Sequence, residues 1–341
     1  MERNELMSRV AVIGAGSWGT TLAGLLAKNG HPTVLWALEK DVVEQVNRAH
    51  ENQRFLAGVA LPESLTATSD LAGALAGAEV LVSVVPSQFV ARVMKDAAPH
   101  LPAGCQIVSA SKGIETSTLR RMDEVLRDTL GAERMKGFTV LSGPSFALEV
   151  AREAPTAVVA ASADRAAAER AQKLFQNGYF RVYTNADVVG VELGGALKNV
   201  IALAAGMTAG LGFGHNTLAA LITRGLAEMA RLGQAVGARP ATFAGLAGMG
   251  DLVLTCTGDL SRNRTVGMRL GKGEPLASIL GEMSAVAEGV KTAQAAHDLA
   301  QKHGVQMPIT SEVKAILVDG RSAREALANL MERDPKPEEW A

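Results

Sequence analysis

The feature that most constrains the fold is an apolar run near the start of the sequence that breaks into three glycines. Residues 10–19 read V-A-V-I-G-A-G-S-W-G, and a helix-forming stretch follows at 20–28. Gly14 permits a tight turn, Gly16 lets a pyrophosphate approach the backbone, and Gly19 lets a helix pack closely on the strand. Such a helix N-terminus binds anions through free N–H groups and the helix dipole. We therefore predict dinucleotide binding at this turn, with a purely structural turn as the alternative.

Length and charge narrow the class of protein further. A chain of 341 residues predicts two domains, because single cores stop growing at roughly 250 to 300 residues. The 34 Lys and Arg balance 35 Asp and Glu without long runs of like charge, which disfavours nucleic acid and anionic membranes as partners. A small metabolite suits this balance better.

Cysteine and histidine usage bears on location and metals. Cys105 and Cys256 lack metal-type spacing, and the six histidines do not cluster, so we expect no metal site and no disulfide framework. The charged start lacks an apolar signal region, and no uninterrupted stretch of about 18 apolar residues follows. We therefore expect a cytoplasmic protein without membrane insertion.

The first half of the chain alternates short apolar runs with helical patterns, which is typical of a parallel α/β sheet. The candidate strands after the first are 33–36, 80–85, 106–110, 139–142, 157–160 and 181–183. The candidate helices are 40–49, 71–75, 87–97, 117–130, 146–151 and 163–177. Several strands are continuously apolar, as strands buried on both faces are. The pattern predicts a Rossmann-like, doubly wound, mostly parallel sheet.

The second half changes character after about Asp187, where strand-like runs stop and a helical period begins. It predicts an all-α C-terminal domain. We place a dinucleotide-binding domain at 1–188 and a helical substrate and catalytic domain at 189–341. The proline-rich, charged tail from about residue 334 is expected to fray.

Polar residues directly after strands are the first candidates for chemistry, because ligands bind beyond the carboxyl ends of parallel strands. Three such turns occur, at 86–88, 111–113 and 143–146. Ordinary helix capping by Ser and Gly is the alternative for each of them. Lys112 stands out because a cation at a strand end can meet a substrate anion, although a solvated lysine is also compatible with the pattern.

Lys198 is the most suggestive residue of the second half, since it lies inside an apolar helical stretch. Gly194 and Gly195 precede it on the same helical face, which indicates either close packing or close approach of a ligand. Burial would lower the pKa of the lysine towards a range useful for proton transfer. A lysine that extends to water is the alternative.

Further polar groups follow in the helical half. Asp251 and Thr255 stand one helical turn apart and face the same way, so they could orient a lysine or a hydroxyl. Ser261 is a candidate N-cap and Arg262 a candidate phosphate ligand, with simple surface capping as the alternative. Glu288 supplies a carboxylate, but composition alone does not assign a role to it.

Eight motifs in order then carry a family resemblance. They are G-A-G-S-W-G-T, V-P-S-Q, S-K-G-I-E, G-P-S-F-A, L-K-N-V, G-D-L-x-x-T, S-R-N-R and A-E-G. Over residues 9 to 315 this order resembles bacterial NAD(P)-dependent sn-glycerol-3-phosphate dehydrogenases. The resemblance implies a dinucleotide domain, a helical domain, and reversible reduction of dihydroxyacetone phosphate to sn-glycerol 3-phosphate for phospholipid synthesis.

The resemblance also implies residue roles. Lys198 would donate a proton to the carbonyl oxygen, or accept it in reverse, and Lys112 would contact both cofactor and substrate. The other implied substrate contacts are Gly143, Ser145, Asn199, Asp251, Thr255, Ser261, Arg262 and Asn263, of which the Ser-Arg-Asn group would bind the phosphate. The implied cofactor contacts are Gly14, Gly16, Ser17, Trp18, Gly19, Lys112, Ala147, Arg262, Val286 and Glu288.

One departure from the family pattern affects the cofactor. Ala37 and Leu38 follow the second strand where the family usually has Gly and a basic residue, so a 2′-phosphate loses its expected cation. Glu39 lies near where an acid would bind the ribose 2′-hydroxyl of NAD, whereas Lys40 could approach a phosphate. We expect NAD(P)(H) as the cofactor and favour NAD.

Two other functions remain compatible with the residues. A related β-hydroxyacid dehydrogenase also joins a nucleotide domain to helices that bear a catalytic lysine. A regulator that binds NAD(H) without turnover is the second possibility. A homodimer is expected only because dimers are the commonest oligomers.

Overall fold

The computed structural model describes residues 7–283, 287–335 and 337–338. The chain forms two compact units, one of Met1–Ser111 and Met122–Val188, the other of Lys112–Arg121 and Val189–Ala341. The boundary between the two units lies after Val188. The sequence pattern places its domain boundary at the same position. The segment 112–121 lies in the second unit, whereas the sequence pattern had placed it in the first. Ile114 explains the exchange because it is fully buried in the apolar core of the second unit.

An eight-stranded sheet forms the centre of the first unit. Its strands are β1 Val10–Ile13, β2 Thr33–Trp36, β3 Thr66–Thr68, β4 Val80–Ser83, β5 Gln106–Ser109, β6 Thr139–Ser142, β7 Thr156–Ala161 and β8 Phe180–Asn185. Their order in the sheet is β3-β2-β1-β4-β5-β6-β7-β8. All pairs are parallel except β6 with β7. The predicted doubly wound, mostly parallel sheet is confirmed, and β3 is a three-residue edge strand too short to show a pattern.

Helices connect these strands. They are α1 Ser17–Lys28, α2 Lys40–Ala49, α3 Leu71–Leu75, α4 Val90–Ala97, α5 Met122–Leu130, α6 Ala147–Ala151 and α7 Arg165–Phe175. The helix predicted from residue 117 begins only at Met122. Leu119 has a φ of 60°, in the left-handed region that a right-handed helix does not contain.

The second unit is helical, as the sequence predicts. Its helices are α8 Val188–Gly210, α9 His215–Ala235, α10 Pro240–Phe243, α11 Asp251–Thr257, α12 Arg262–Gly271, α13 Leu276–Gly281, α14 Glu288–Lys302, α15 Pro308–Val318 and α16 Ala323–Met331. The 23-residue α8 is long and apolar enough to cross a membrane by those measures alone, yet 89% of its most apolar window is buried in the protein. It is therefore the core helix of this unit. Of the tail predicted to fray, residues 336 and 339–341 lie outside the described residues.

Glycines let α8 and α12 cross with their backbones in contact. A Cβ on Gly206 would lie 2.0 Å from the Arg264 carbonyl oxygen, and one on Gly267 would lie 2.0 Å from the Leu203 oxygen. Side chains at these positions would force the helices apart. Because α12 begins directly after Ser261, this crossing also positions the residues at its N-terminus.

We expect Gly267→Ala to lower the free energy of unfolding by about 1 to 3 kcal/mol, because the new methyl group overlaps the α8 backbone. Alanine favours a helix over glycine by about 1 kcal/mol, which by itself would raise the stability of the variant. A net loss of stability would therefore come from the steric overlap. The matched control is Gly281→Ala, where a Cβ meets nothing within 4 Å. Urea unfolding of both variants measures the difference. Equal stability of the two variants would contradict a tight crossing.

Candidate active site

The glycine turn of the first unit has one packed side and one open side. Gly14 has a φ of 113°, and a Cβ there would lie 2.8 Å from the Val84 carbonyl oxygen. A Cβ on Gly19 would lie 1.8 Å from the Gly14 oxygen, so both glycines are required by packing. Around Gly16 a Cβ would meet nothing within 4 Å. The open backbone at Gly16 is where a phosphate group could approach.

A buried asparagine outside the predicted motif holds this turn in place. The Asn52 side chain is fully buried and donates hydrogen bonds to the Ala15 carbonyl at 3.0 Å and to Thr20 Oγ1 at 2.8 Å. Thr20 Oγ1 in turn donates to the Ala15 carbonyl at 3.1 Å. Sequence reasoning missed Asn52 because it lies in an irregular segment after α2, where no periodicity marks it.

The N-terminus of α1 fits the phosphates of a dinucleotide. Gly16 is its N-cap, and the first turn carries no acidic side chain that would repel an anion. Ser17 Oγ donates to the Phe55 carbonyl, which leaves its lone pairs available as acceptors. Trp18 Nε1 is buried and has no acceptor among the described residues. An unused donor beside an open glycine is what a nucleotide site requires.

A second glycine turn lies in the same unit, at the end of β6. Gly143 has a φ of 138°, and a Cβ there would lie 2.9 Å from Val158 Cα. Ser145 Oγ donates to the Gly143 carbonyl at 2.9 Å, which tightens the turn. The Ala147 carbonyl accepts a hydrogen bond of 3.1 Å from Thr21 Oγ1 of α1. The structure thus joins Ala147 to the predicted dinucleotide helix.

The two residues directly after β2 carry no cation for a 2′-phosphate, and the first cation in this segment is Lys40. Ala37 is fully buried, whereas the Leu38 side chain is 68% exposed. Glu39 is the N-cap of α2 but makes no side-chain capping hydrogen bond. Its carboxylate therefore remains available to accept a bond from a ribose hydroxyl.

Four predicted residues of the second unit form a polar cluster, which we call the lysine cluster: Lys198, Asp251 and Thr255, which are buried, and Lys112, which is partly buried. Lys198 Nζ donates to Asp251 Oδ1 and, at 2.9 Å, to Thr255 Oγ1. Lys112 Nζ donates to Asp251 Oδ2 at 2.7 Å. One carboxylate therefore joins two ammonium groups.

Helix geometry explains why these side chains meet. Asp251 is the first residue of α11 and Thr255 follows one turn later, so both face the same way. Thr255 Oγ1 donates to the Asp251 carbonyl at 2.6 Å, which fixes its rotamer and turns its lone pairs to Lys198. A Cβ on Gly194 of α8 would lie 2.3 Å from the Ala247 carbonyl oxygen. This glycine therefore lets the segment directly before α11 pack closely against α8.

Burial and charge set the protonation equilibria of the cluster. Burial lowers the pKa of Lys198 to about 8. The positive charge of Lys112 lowers this pKa further, whereas the negative charge of Asp251 raises it. Burial alone would raise the pKa of Asp251, but the two ammonium groups outweigh it and lower this pKa below its usual value. Lys198 can therefore gain or lose a proton near neutral pH while Asp251 stays ionised.

A chain of amides begins at Asn199, the residue after Lys198, and joins three helices. Asn263 Nδ2 donates to Asn199 Oδ1 at 3.0 Å, and the Gly289 N–H donates to Asn263 Oδ1 at 2.9 Å. A Cβ on Gly289 would lie 2.6 Å from the backbone carbonyl oxygen of Asn199. The two asparagines thus connect α8, α12 and α14, and the second N–H of the Asn263 amide is left for a ligand.

The start of α12 presents groups suited to an anion. Ser261 is its N-cap, as predicted, and its Oγ accepts from the Arg264 N–H at 3.2 Å. Arg262 is exposed and makes no hydrogen bond or ion pair with the described residues. Glu288 begins α14, and Val286 lies outside the described residues.

Metal ligation has no support within the described parts of the chain, where no group of three or more His, Cys, Asp or Glu could hold an ion. A glycine-turn α/β unit followed by a helical unit with a buried lysine–aspartate cluster is typical of nucleotide-dependent oxidoreductases.

Comparison with known proteins identifies the member of this class. The family described as "NAD-dependent glycerol-3-phosphate dehydrogenase N-terminus" matches residues 9–168, and its C-terminal counterpart matches residues 187–328. The chain belongs to the glycerol-3-phosphate dehydrogenase family.

Individual relatives agree with this assignment. The glycerol-3-phosphate dehydrogenase [NAD(P)+] of Geobacter metallireducens is 62% identical over 330 residues, which cover 97% of this chain and 98% of the relative. That of Geobacter sp. strain M21 is 58% identical over 98% of this chain and 99% of the relative. The crystal structure of glycerol-3-phosphate dehydrogenase from Coxiella burnetii superposes with a TM-score of 0.92 at 40% identity, covering 96% of this chain and all of that one.

Proposed function

We propose that this chain catalyses the reversible NAD(P)H-dependent reduction of dihydroxyacetone phosphate to sn-glycerol 3-phosphate, with Lys198 as proton donor and acceptor. The observation that carries the proposal is the buried Lys198 ammonium, bonded to Asp251 and Thr255, and burial lowers the pKa of this lysine to about 8. The product would supply glycerophospholipid synthesis, and we place the reaction in the cytoplasm. The family match favours this reaction over a β-hydroxyacid dehydrogenase or a non-catalytic regulator.

The first unit would hold the dinucleotide. Its groups for the phosphates are the open backbone at Gly16 and the N–H groups of Ser17 and Trp18 at the start of α1. By resemblance to the family, Ala147, Val286 and Glu288 would also contact the cofactor, whereas Gly143 and Ser145 would contact the substrate. When bound there, the nicotinamide would supply the hydride.

The lysine cluster would act on the carbonyl oxygen of the substrate. The Lys198 ammonium stabilises negative charge that develops on this oxygen and then transfers its proton to it. Asp251 keeps the ammonium oriented and balances its charge in a site where an unpaired ion would be costly. Lys112 shares this carboxylate and offers a second positive charge to the substrate.

The phosphate of the substrate would bind at the start of α12. Ser261 Oγ–H, the free N–H of Asn263 and the Arg262 guanidinium are donors of the kind that bind a phosphate. Asn199 would act mainly by holding Asn263 in position. Arg262 would also reach the cofactor, as in the family pattern.

A direct assay tests the proposed reaction. Purified chain should oxidise NADH or NADPH when dihydroxyacetone phosphate is added, as measured by the loss of absorbance of the reduced cofactor. Dihydroxyacetone without the phosphate should be a poor substrate because it cannot use the start of α12. Turnover of a β-hydroxy acid with none of dihydroxyacetone phosphate would overturn the proposal. Sedimentation of the same sample tests the expected homodimer.

We expect opposite pH dependences for the two directions of the reaction. Ketone reduction needs the Lys198 ammonium, so kcat should fall as pH rises through about 8, the pKa set by burial. Alcohol oxidation needs the neutral amine, so its kcat should rise through the same region. Steady-state rates at saturating substrate across the alkaline range measure both. Parallel profiles in the two directions would contradict proton transfer by Lys198.

We also propose that NAD is the preferred cofactor, and that Leu38→Arg will improve use of NADPH. A guanidinium at this exposed position would meet the 2′-phosphate, and a charge-assisted bond of about 1.5 to 3 kcal/mol corresponds to a gain of roughly ten- to hundredfold in kcat/KM. Leu38→Gln is the matched control, polar but uncharged. A wild-type protein much more efficient with NADPH, together with no gain from Leu38→Arg, would contradict the preference.

A further inference from the structure

The second unit contains a cavity of about 340 Å³ that the proposed reaction does not use. It lies among helices α8, α9, α15 and α16 and opens to solvent, and none of the lysine cluster lines it. Its volume falls within the range of small-molecule sites, roughly 300 to 1,000 Å³. A cavity of this size between helices is large enough for a ligand.

The walls of the cavity are mostly apolar. Representative side chains, contributed by the four helices, are Met207, Leu211, Leu221, Ile309, Val313 and Leu330. Apolar walls of this extent favour a ligand with an apolar body, because water gains few hydrogen bonds inside.

One cation lines the cavity without a partner. Arg224 of α9 is half-buried, and its guanidinium makes no hydrogen bond or ion pair with any described residue. Three of the other charged groups along the wall have partners: Arg231 donates to the Gln306 carbonyl at 3.1 Å, Arg333 donates to Gln306 Oε1 at 3.5 Å, and Glu312 pairs with Arg321 at 2.6 Å. Asp334, also on the wall, is exposed to solvent. Arg224 is therefore positioned to bind an acidic group.

A buried acid beside the cavity does not neutralise Arg224. Glu228 accepts hydrogen bonds from the Ile309 N–H at 2.6 Å and from the Thr310 N–H and hydroxyl, both at 3.1 Å. Both carboxyl oxygens are thus committed to the start of α15. Burial raises the pKa of Glu228 to about 7, so its negative charge is only partial near neutrality.

We propose that this cavity binds an amphipathic anion, with its apolar body against the helices and its single acidic group on Arg224. The shared chemistry of the ligand is an alkyl chain with a carboxylate or a phosphate monoester. This binding goes beyond the proposed reaction and does not depend on turnover, so the two can fail separately.

Calorimetric titration of the full chain with octanoate, octan-1-ol and octyl phosphate tests the proposal. Octanoate or octyl phosphate should bind about tenfold more tightly than octan-1-ol, because each adds a charge-assisted bond to the same apolar chain. The tighter of the two anions identifies the acidic group. Arg224→Gln should remove the advantage of the anions and leave octan-1-ol unchanged, whereas Arg324→Gln, an exposed arginine outside the cavity, should change nothing.

A second pair of variants tests the location. Ala220 is exposed and lines the cavity, so Ala220→Trp should block it and weaken binding of all three probes about tenfold or more. Its neighbour Ala219 is exposed but does not line the cavity, so Ala219→Trp should bind normally. Equal affinities of the wild type for octanoate and octan-1-ol would overturn the proposal. The proposal would also be overturned if the wild type bound none of the anions and Ala220→Trp dissociated a dimer. That result would show that a second copy of the chain covers this face.

Discussion

Replacing Lys198 with alanine is expected to lower kcat for reduction of dihydroxyacetone phosphate by about a hundredfold to ten-thousandfold, the usual contribution of a general acid. The loss follows from removing the buried ammonium that Asp251 and Thr255 hold. Binding of NADH should remain close to that of the wild type, because the predicted dinucleotide turn lies in the other unit. Stopped-flow or steady-state rates measure the first effect, and calorimetric titration with NADH measures the second.

Two controls separate chemistry from packing in this experiment. Lys198→Met restores most of the lost volume without an ionisable group, so it should be as inactive as Lys198→Ala. Lys302→Ala removes an exposed lysine at the end of α14 and should leave kcat unchanged. Recovery of activity in Lys198→Met would show that the lysine acts by filling space and would remove it from the proposed reaction.

Asp251→Asn is expected to lower the free energy of unfolding by about 3 to 5 kcal/mol near neutral pH, because it removes the charged partner of the buried Lys198 ammonium. The asparagine has almost the same shape, so the loss would be electrostatic. Chemical unfolding monitored by circular dichroism measures it. Activity should also fall, since Lys198 loses the group that orients it.

The pH dependence of this loss has a definite sign. The two ammonium groups lower the pKa of Asp251 in the folded state, so its contribution is present above its unfolded pKa and is lost as pH falls through the lower folded value. In the variant the pKa of Lys198 should fall further, because the charge of Asp251 no longer raises it, and the uncompensated charge disappears as pH rises and Lys198 becomes neutral. The destabilisation should therefore be largest near neutrality and smaller at both extremes.

Asp259→Asn is the matched control for this substitution. Asp259 pairs with Arg264 at 2.9 Å, but its side chain is 96% exposed. Exposed pairs contribute roughly 0 to 1 kcal/mol, so this variant should be nearly as stable as the wild type. A similar small effect of Asp251→Asn would show that the buried pair contributes little and would contradict its proposed importance.

Local signals in the sequence were enough for the fold class. Continuous apolar strands and 3.6-residue helical periods predicted the sheet and the helical second half, because burial on both faces and helical amphipathicity leave direct marks on the order of residues. They could not reveal β3, which is only three residues long, or the late start of α5 at Met122. Both depend on neighbours distant in the chain.

For the candidate site, sequence motifs named the residues but not their partners. Lys198, Asp251 and Thr255 were singled out by residue type and spacing, whereas only the fold shows that one carboxylate serves both Lys198 and Lys112. The pKa of Lys198 follows from that arrangement and from burial, neither of which is encoded in a spacing. Asn52 illustrates the same limit, since its hydrogen bonds to the glycine turn join residues more than 30 positions apart.

The sequence by itself determined the class of fold, the glycine turn for a dinucleotide and the candidate chemical groups, because each depends on neighbours within a few residues. The tertiary structure alone decided that residues 112–121 belong to the helical unit, that Asn52 holds the turn and that a cavity lined by Arg224 lies among four helices. These features arise from contacts between segments far apart in the chain, and such contacts set burial, charge balance and shape only when the chain has folded.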